Sequence, residues 1–320
     1  MDCPICNRTF RDDLDTFCRR CGWQQGPEDE AQRASRLKIA RERWDEILAL
    51  RQIVAELQAT CTQSTLGADP DEGSGGAGSF AEPLTGMEFV CVPGGRFAMG
   101  DVFASEDPDE RPVHAVAVQG FCLGKFPVTQ SQWQAVTGAN PSAHRGPDRP
   151  VDSVSWEDCQ RFLEVFRARS GLFVRFPTEA EWEYAARSCG GAEKWSGTSR
   201  ADEVGAFAWF VGNSGGASQP VGLKRPNRLG LHDMSGNVWE WCQDWYGESY
   251  YEHSPEQDPP GAAQGARRVA RGGSWAEDRE YLVTVWRGAL QPDFRLKTHG
   301  LRVAISRAAA RALIERGSEA

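Results

Sequence analysis

Residues 230–247 read GLHDMSGNVWEWCQDWYG, and they constrain the fold more than any other part of the chain. Three tryptophans, three glycines and three carboxylates stand within these 18 residues. The alternating Trp239, Trp241 and Trp245 are more typical of a packed core with hydrogen-bonded ring N–H groups than of a ligand-binding box. Glycine gives the backbone the freedom that sharp turns require. The stretch therefore predicts a loop-rich domain with a large aromatic core.

Further blocks of similar character flank this stretch, and they are PVDSVSWE at 150–157, RFPTEAEWEYAAR at 175–187, RGGSW at 271–275 and GLRVA at 300–304. Taken in order, the blocks resemble the formylglycine-generating enzyme (sulfatase-modifying factor) family over residues 87–307. The resemblance implies an α+β domain, a variant of the C-type lectin-like fold with much irregular structure.

Local signals place several elements within residues 87–307. Ser155 and Thr178 are hydroxyl N-caps followed by acidic residues, and they predict helices over Ser155–Arg169 and Thr178–Arg187. Residues 87–100 alternate apolar and small residues around a Gly-Gly pair. This pattern predicts an opening β-hairpin.

Bulk properties exclude several classes of partner. The 320 residues have a formal net charge of −9, which argues against a nucleic-acid partner. No apolar run approaches the roughly 20 residues that span a bilayer, so we expect no membrane segment. The N-terminus does not resemble a secretory signal, and the sequence therefore predicts a cytoplasmic protein. In that reducing compartment we expect the cysteines outside the first 26 residues to be free thiols.

Residues 1–26 resemble a zinc ribbon, because Cys3 and Cys6 form one CxxC pair and Cys18 and Cys21 form a second. Two such turns aim four thiolates at one tetrahedral ion, so we expect structural zinc. A redox CxxC is the alternative. The segment is too short to fold on apolar burial alone, so the metal supplies much of its stability.

Three further segments complete the chain. Residues 27–60 have apolar positions at helical spacing and predict an amphipathic helix. Its apolar stripe either packs on the rest of the chain or mediates self-association or an adaptor contact. Residues 61–86 are rich in Gly and Ser and predict a flexible linker. Residues 308–320 predict a helical tail.

The family resemblance implies a structural calcium site in the 230–247 stretch. Its ligands are the side chains of Asp233 and Glu240 and the backbone carbonyls of Gly236 and Val238. Hard oxygen ligands of this kind suit Ca²⁺. The alternative is that these polar groups only satisfy the backbone of their own loop.

The resemblance also implies where a copper site would lie. In the family, copper is held by two cysteines that follow the Gly-Gly-Ser motif. The matching positions are Glu277 and Leu282, and residues 267–320 contain no cysteine. A carboxylate and an aliphatic side chain cannot replace the soft thiolates that Cu(I) requires. We therefore expect no copper and no formylglycine-generating activity. The alternative is an enzyme of this family with a different metal-dependent oxidative chemistry.

Residues 276–299 lie between two family blocks and mix acids, bases, aromatics and aliphatics without a period. Aromatics and arginine are enriched in binding surfaces. This layout resembles the variable proteins of diversity-generating retroelements, in which such a segment is rewritten on a fixed scaffold. The resemblance implies a protein or other macromolecular ligand; the alternative is an undiversified homologue whose loop drifted. The candidate ligand-binding residues are Glu277, Asp278, Tyr281, Trp286, Leu290, Phe294, Arg295 and Lys297.

Overall fold

A computed structural model describes residues 79–103 and 107–318, together with five separate positions between 38 and 52. Those five positions are helical and exposed, and they lie in the segment predicted as an amphipathic helix. The four zinc-ribbon cysteines and the apolar stripe of that helix lie outside the described residues. In the part of the chain that is described, no helix is both long and apolar enough to cross a bilayer.

Within the described residues, ten strands form three small sheets. The first has the order β1-β2-β5-β10, the second pairs β3 with β4, and the third has the order β8-β7-β6-β9. All neighbours are antiparallel except β6 and β9, which run parallel. The strands are β1 Ser79–Ala81, β2 Glu88–Val92, β3 Gly95–Met99, β4 His114–Val118, β5 Phe121–Gly124, β6 Trp239–Trp245, β7 Arg268–Arg271, β8 Gly288–Leu290, β9 His299–Leu301 and β10 Ala304–Ser306.

The predicted hairpin over residues 87–100 is wrong. β2 and β3 do flank the Gly-Gly pair, but β2 pairs with β1 and β5 whereas β3 pairs with β4. The chain changes sheets at Gly94, where an added Cβ would lie 2.8 Å from the backbone nitrogen of Gly120. Gly120 lies in the connection from β4 to β5. The β2–β3 and β4–β5 connections therefore pass side by side between the first and second sheets. The first strand also begins at Ser79, inside the segment predicted as a linker.

Both helices predicted from their N-caps are confirmed. The helices are α1 Gln130–Thr137, α2 Trp156–Ser170, α3 Glu179–Ala186, α4 Val204–Phe207 and α5 Arg307–Ser318. Ser155 caps α2 and Thr178 caps α3, each in a reciprocal capping box. α5 occupies most of the predicted helical tail. α1 and α2 pack against each other beside the first sheet, whereas α3 is buried between the second and third sheets.

The expectation of free thiols is wrong for one pair. Cys91 on β2 and Cys122 on β5 are directly opposed in the antiparallel register and form a disulfide. Directly opposed residues of an antiparallel pair bring their side chains together, whatever their separation in sequence. Cys159 and Cys242 are free thiols, and both are buried.

Candidate functional site: a surface segment anchored by buried ion pairs

The chain between β7 and β9 holds the predicted binding segment, and it divides into three parts. Residues 276–281 and 291–297 are mostly exposed, whereas residues 282–287 are mostly buried. A short 3-10 helix, Arg279–Leu282, leads from the first exposed part into the buried part. β8 then leads out to the second. Two exposed loops are therefore separated by a buried anchor.

A buried ion cluster holds this anchor, and it comprises Arg187, Glu179, Glu183, Arg271 and Arg287. Their side chains are at most 2 % exposed. Glu179, Glu183 and Arg187 recur every four residues from the start of α3, so they share one helix face. Each carboxylate bridges two arginines, which provides the pairing that buried charges require.

The distances within the cluster are those of strong charge-assisted hydrogen bonds. Arg287 donates to both carboxylate oxygens of Glu179, at 2.8 and 3.0 Å. Arg271 donates to Glu183 at 2.5 Å, and Arg187 donates to the same carboxylate at 2.9 Å. Burial raises the pKa of Glu179, but the charges of Arg287 and Arg271 outweigh it and hold that pKa below its usual value.

Arg271 also fixes the path of the anchor. Its guanidinium donates to the carbonyls of Thr284, Val285 and Trp286 at 2.8–2.9 Å. The Thr284 hydroxyl donates to the carbonyl of Glu193 at 2.8 Å. Main-chain carbonyls, not side chains, receive most of these bonds, so they set backbone position independently of the neighbouring exposed residues.

Five of the eight predicted ligand-binding residues are exposed, and they are Asp278, Tyr281, Phe294, Arg295 and Lys297. Tyr281 is 43 % exposed and Phe294 47 %. The other three, Glu277, Trp286 and Leu290, are half-buried. Trp286 and Leu290 pack against the hydrophobic core, and the Tyr281 ring meets Trp286 edge-on at 5.0 Å. The side chains of Trp286 and Leu290 therefore support the surface more than they form it.

The two positions that match the family's copper ligands have other partners here. The carboxylate of Glu277 accepts hydrogen bonds from the Ser274 hydroxyl and, at 3.2 Å, from the Trp239 ring N–H. Leu282 is fully buried, with its side chain against Gly273. An added Cβ on Gly273 would lie 2.3 Å from Leu282, so glycine is required for this close approach. A packed leucine and a hydrogen-bonded carboxylate are a poor donor set for Cu(I).

The second exposed loop is held by contacts at Arg295 and at Lys297. Arg295 makes two hydrogen bonds to Asp158 near the start of α2, at 2.6 and 2.9 Å. The ammonium of Lys297 lies 5.2 Å from the centre of the Trp275 ring, and the ring N–H of Trp275 donates to the Lys297 carbonyl. Phe294 lies on this loop and has a large exposed surface. The loop is thus held without covering its apolar side chain.

The predicted calcium ligands fit a cation only in part. Asp233 is buried, accepts backbone and amide N–H groups from Gly222 and Asn237, and has its pKa raised to about 6, chiefly by burial. A bound cation would offset that burial. Both oxygens of Glu240, however, already bind Arg302 at 2.7–3.1 Å, and one also accepts from Trp182. The four-ligand set stays a prediction.

Two exposed apolar residues at this surface, Val211 and Leu296, are not among the predicted ligand-binding residues. Val211 is 51 % exposed and its backbone N–H donates to the carbonyl of Glu277, so it borders the first loop. Leu296 is 39 % exposed in the second loop. Nothing in the sequence near Val211 indicates that it lies beside residues 276–281, since the contact is made between distant parts of the chain.

Fold and site together define an α+β domain of the formylglycine-generating-enzyme type that presents two anchored surface loops. The profile of the family described as "Sulfatase-modifying factor enzyme 1-like domain" matches residues 77–307, and the chain belongs to this family.

Individual relatives include both enzymes and a variable protein. The formylglycine-generating enzyme of Streptomyces coelicolor is 31 % identical over 267 residues, which cover 62 % of this chain and 82 % of that protein. Among solved structures, Treponema denticola variable protein 1 is 30 % identical with a TM-score of 0.65, covering 72 % of this chain and 98 % of that one. PvdO from Pseudomonas aeruginosa is 26 % identical with a TM-score of 0.63, covering 73 % and 100 % respectively.

Proposed function

We propose that this chain is a non-catalytic binding protein that holds a protein or other macromolecular ligand on the two exposed loops, residues 276–281 and 291–297. It is of the type in which a retroelement diversifies the binding surface. The observation that supports this most is the buried ion cluster, which fixes the segment between the loops and leaves the loops themselves exposed.

The exposed side chains have the chemistry of a binding surface. Tyr281, Phe294 and Arg295 belong to residue types that dominate binding energy in protein interfaces. Asp278 and Lys297 add charges of both signs at the edge of the same loops. Exposed apolar Val211 and Leu296 extend the surface. The similarity to a variable protein of Treponema denticola supports this proposal at the level of the scaffold.

The anchoring explains how such a surface tolerates change. Substitutions at exposed positions away from caps and buried networks usually alter stability by less than about 0.5 kcal/mol. The bonds that position the buried anchor between the loops come from Arg271 and Glu179, which lie outside residues 276–299. Substitutions at exposed loop positions therefore leave the anchor between the two loops in place.

An enzyme with different metal-dependent oxidative chemistry is the second candidate, favoured by the similarity to formylglycine-generating enzymes. One experiment separates the two. Purified full-length protein is incubated with copper and a Cys-x-Pro-x-Arg peptide, and its metal content is measured. The binder gives no formylglycine, and contains one zinc with or without calcium. Turnover, or stoichiometric copper or iron, overturns the binder and supports the enzyme.

We further propose that Cys3, Cys6, Cys18 and Cys21 hold that zinc, and that the helix over residues 27–60 supplies a self-association or adaptor contact. A cytoplasmic location, without nucleic-acid or membrane partners, completes the proposal. The disulfide between Cys91 and Cys122 counts against a reducing compartment such as the cytoplasm, because disulfides persist mainly in oxidising compartments. Thiol trapping of the protein inside its own cells tests the compartment directly.

A further inference from the structure

A groove of about 410 Å³ lies between α1 and α2, and it shares only Arg295 with the two proposed binding loops. Most of its wall is apolar. The rings of Trp133 and Phe162 stack with centroids 4.7 Å apart, and buried Val136 and Val154 adjoin them. Val165 lines the groove and is 40 % exposed. A volume of this size falls within the range of small-molecule sites.

Charge is concentrated on one side of the groove. Three charged side chains line it, namely Arg161, Arg295 and Asp158. Both arginines bind the same carboxylate, Arg161 at 2.5 Å and Arg295 at 2.6 and 2.9 Å. Two cations thus share one anion. Both arginines are more than half exposed, so each retains N–H groups for another acceptor.

Two further features affect the electrostatic potential at the charged side of the groove. Asp158 stands in the first turn of α2, whose N-terminus adds a partial positive charge. Glu157 and Asp293 act on Arg295 from farther away, but neither lines the groove. The three charged side chains that line the groove, Arg161, Arg295 and Asp158, therefore carry a net charge of +1 beside its apolar wall.

We propose that this groove binds a small apolar carboxylate, with its hydrocarbon part between α1 and α2 and its carboxylate on Arg161 and Arg295. Guanidinium groups match carboxylates in a planar, paired geometry. The stacked Trp133 and Phe162 and the valines receive the apolar part. Only Arg295 is shared with the two-loop surface, so the groove is a separate site and does not depend on the proposed function.

The first test is calorimetric titration of the full-length protein with a series of probes. Decanoate is compared with hexanoate, and with decyltrimethylammonium as a cation of equal chain length. We expect one decanoate per chain and an affinity that rises about fourfold for each added methylene until the groove is full. The cation should bind at least tenfold more weakly. Absence of saturable decanoate binding, or equal binding of the cation, overturns the proposal.

Variants locate the site. Arg161→Ala and Arg295→Ala should each weaken decanoate binding about tenfold. Val165→Trp and Ala139→Trp, both at exposed lining positions, should block it. Arg228→Ala is the matched control, because Arg228 is an exposed arginine paired with Glu193 away from the groove. Circular dichroism melts confirm that each variant is folded. Binding that survives both tryptophan variants, or that falls equally in the control, places decanoate elsewhere and overturns the proposal.

Discussion

Arg287 and Glu179 form a two-bond buried ion pair, although 108 residues separate them in sequence. Arg287 lies inside the segment predicted to bind ligand, and Glu179 opens α3. This pair, rather than an exposed side chain, determines where the chain turns back into the domain between the two loops. An arginine inside the predicted binding segment is thus part of the support of that segment.

Replacing Arg287 by alanine should destabilise the domain by about 3–5 kcal/mol, because Glu179 loses its two-bond partner in a buried position. Arg295→Ala is the matched control, since it removes an arginine that is about half exposed in its pair with Asp158 and should cost less than about 1 kcal/mol. Urea unfolding measures both. Equal losses in the two variants would contradict the anchoring role of Arg287.

Asp244 predicts a pH dependence. Burial and the nearby charge of Glu179 raise its pKa to about 8, so the folded protein keeps a proton that the unfolded chain releases near pH 4. Stability should therefore fall as pH rises from about 4 to 8, by at most about 1.4 kcal/mol per pH unit from this group. Asp244→Asn should flatten that fall.

Denaturant unfolding at pH 5, 6, 7 and 8 measures the slope for the wild type and for Asp244→Asn. Asp278→Asn makes the same chemical change at an exposed position, and it should leave the wild-type slope in place. An Asp244→Asn variant with an unchanged slope would show that this carboxyl group does not carry the proton.

Calcium should raise the melting temperature of the domain over residues 87–307, since a cation at Asp233 offsets the burial of that carboxylate. Asp233→Ala should abolish the rise, whereas Asp278→Ala should not. Differential scanning calorimetry with calcium and then with EGTA measures the effect. An unchanged melting temperature in the wild type would rule out the four-ligand set, leaving Glu240 as the buried partner of Arg302 alone.

Reduction of the Cys91–Cys122 disulfide should lower the free energy of unfolding by about 3–4 kcal/mol, the loop-closure value for residues 31 apart. Mass spectrometry of peptides from unreduced protein should show the two cysteines joined. Unfolding with and without reductant measures the energy. Recovery of both residues as alkylated free thiols from unreduced, denatured protein would contradict the pairing.

Local signals gave correct helices because the relevant physics is local. The hydroxyls of Ser155 and Thr178 bond N–H groups three residues on, so the caps can be read from short stretches. The Gly-Gly pair at 94–95 lies where the chain passes from β2 to β3. It could not show that β2 and β3 belong to different sheets, because strand partners are decided by packing of distant residues.

The candidate site was predicted as a segment but not as a structure. Family blocks bracket residues 276–299, and the composition of this segment predicted a surface. Which residues of the segment are exposed depends on contacts that no local pattern contains, such as Arg287 with Glu179 and Trp286 with the core. The pairing of Glu240 with Arg302 is likewise a contact that no local pattern contains.

The central claim is that two exposed loops are the variable, ligand-binding part of a fixed scaffold. Sequencing the neighbouring genomic DNA tests it most directly, by looking for a reverse transcriptase gene and a near-copy of the segment that encodes residues 271–304. The account predicts that differences from that copy fall at Asp278, Tyr281, Phe294, Arg295 and Lys297. It predicts none at the supporting positions, which are Gly272, Gly273, Trp275, Leu282, Val283, Thr284, Val285, Arg287, Gly300 and Arg302. Absence of such a copy, or differences spread evenly over exposed and buried positions, would contradict the account.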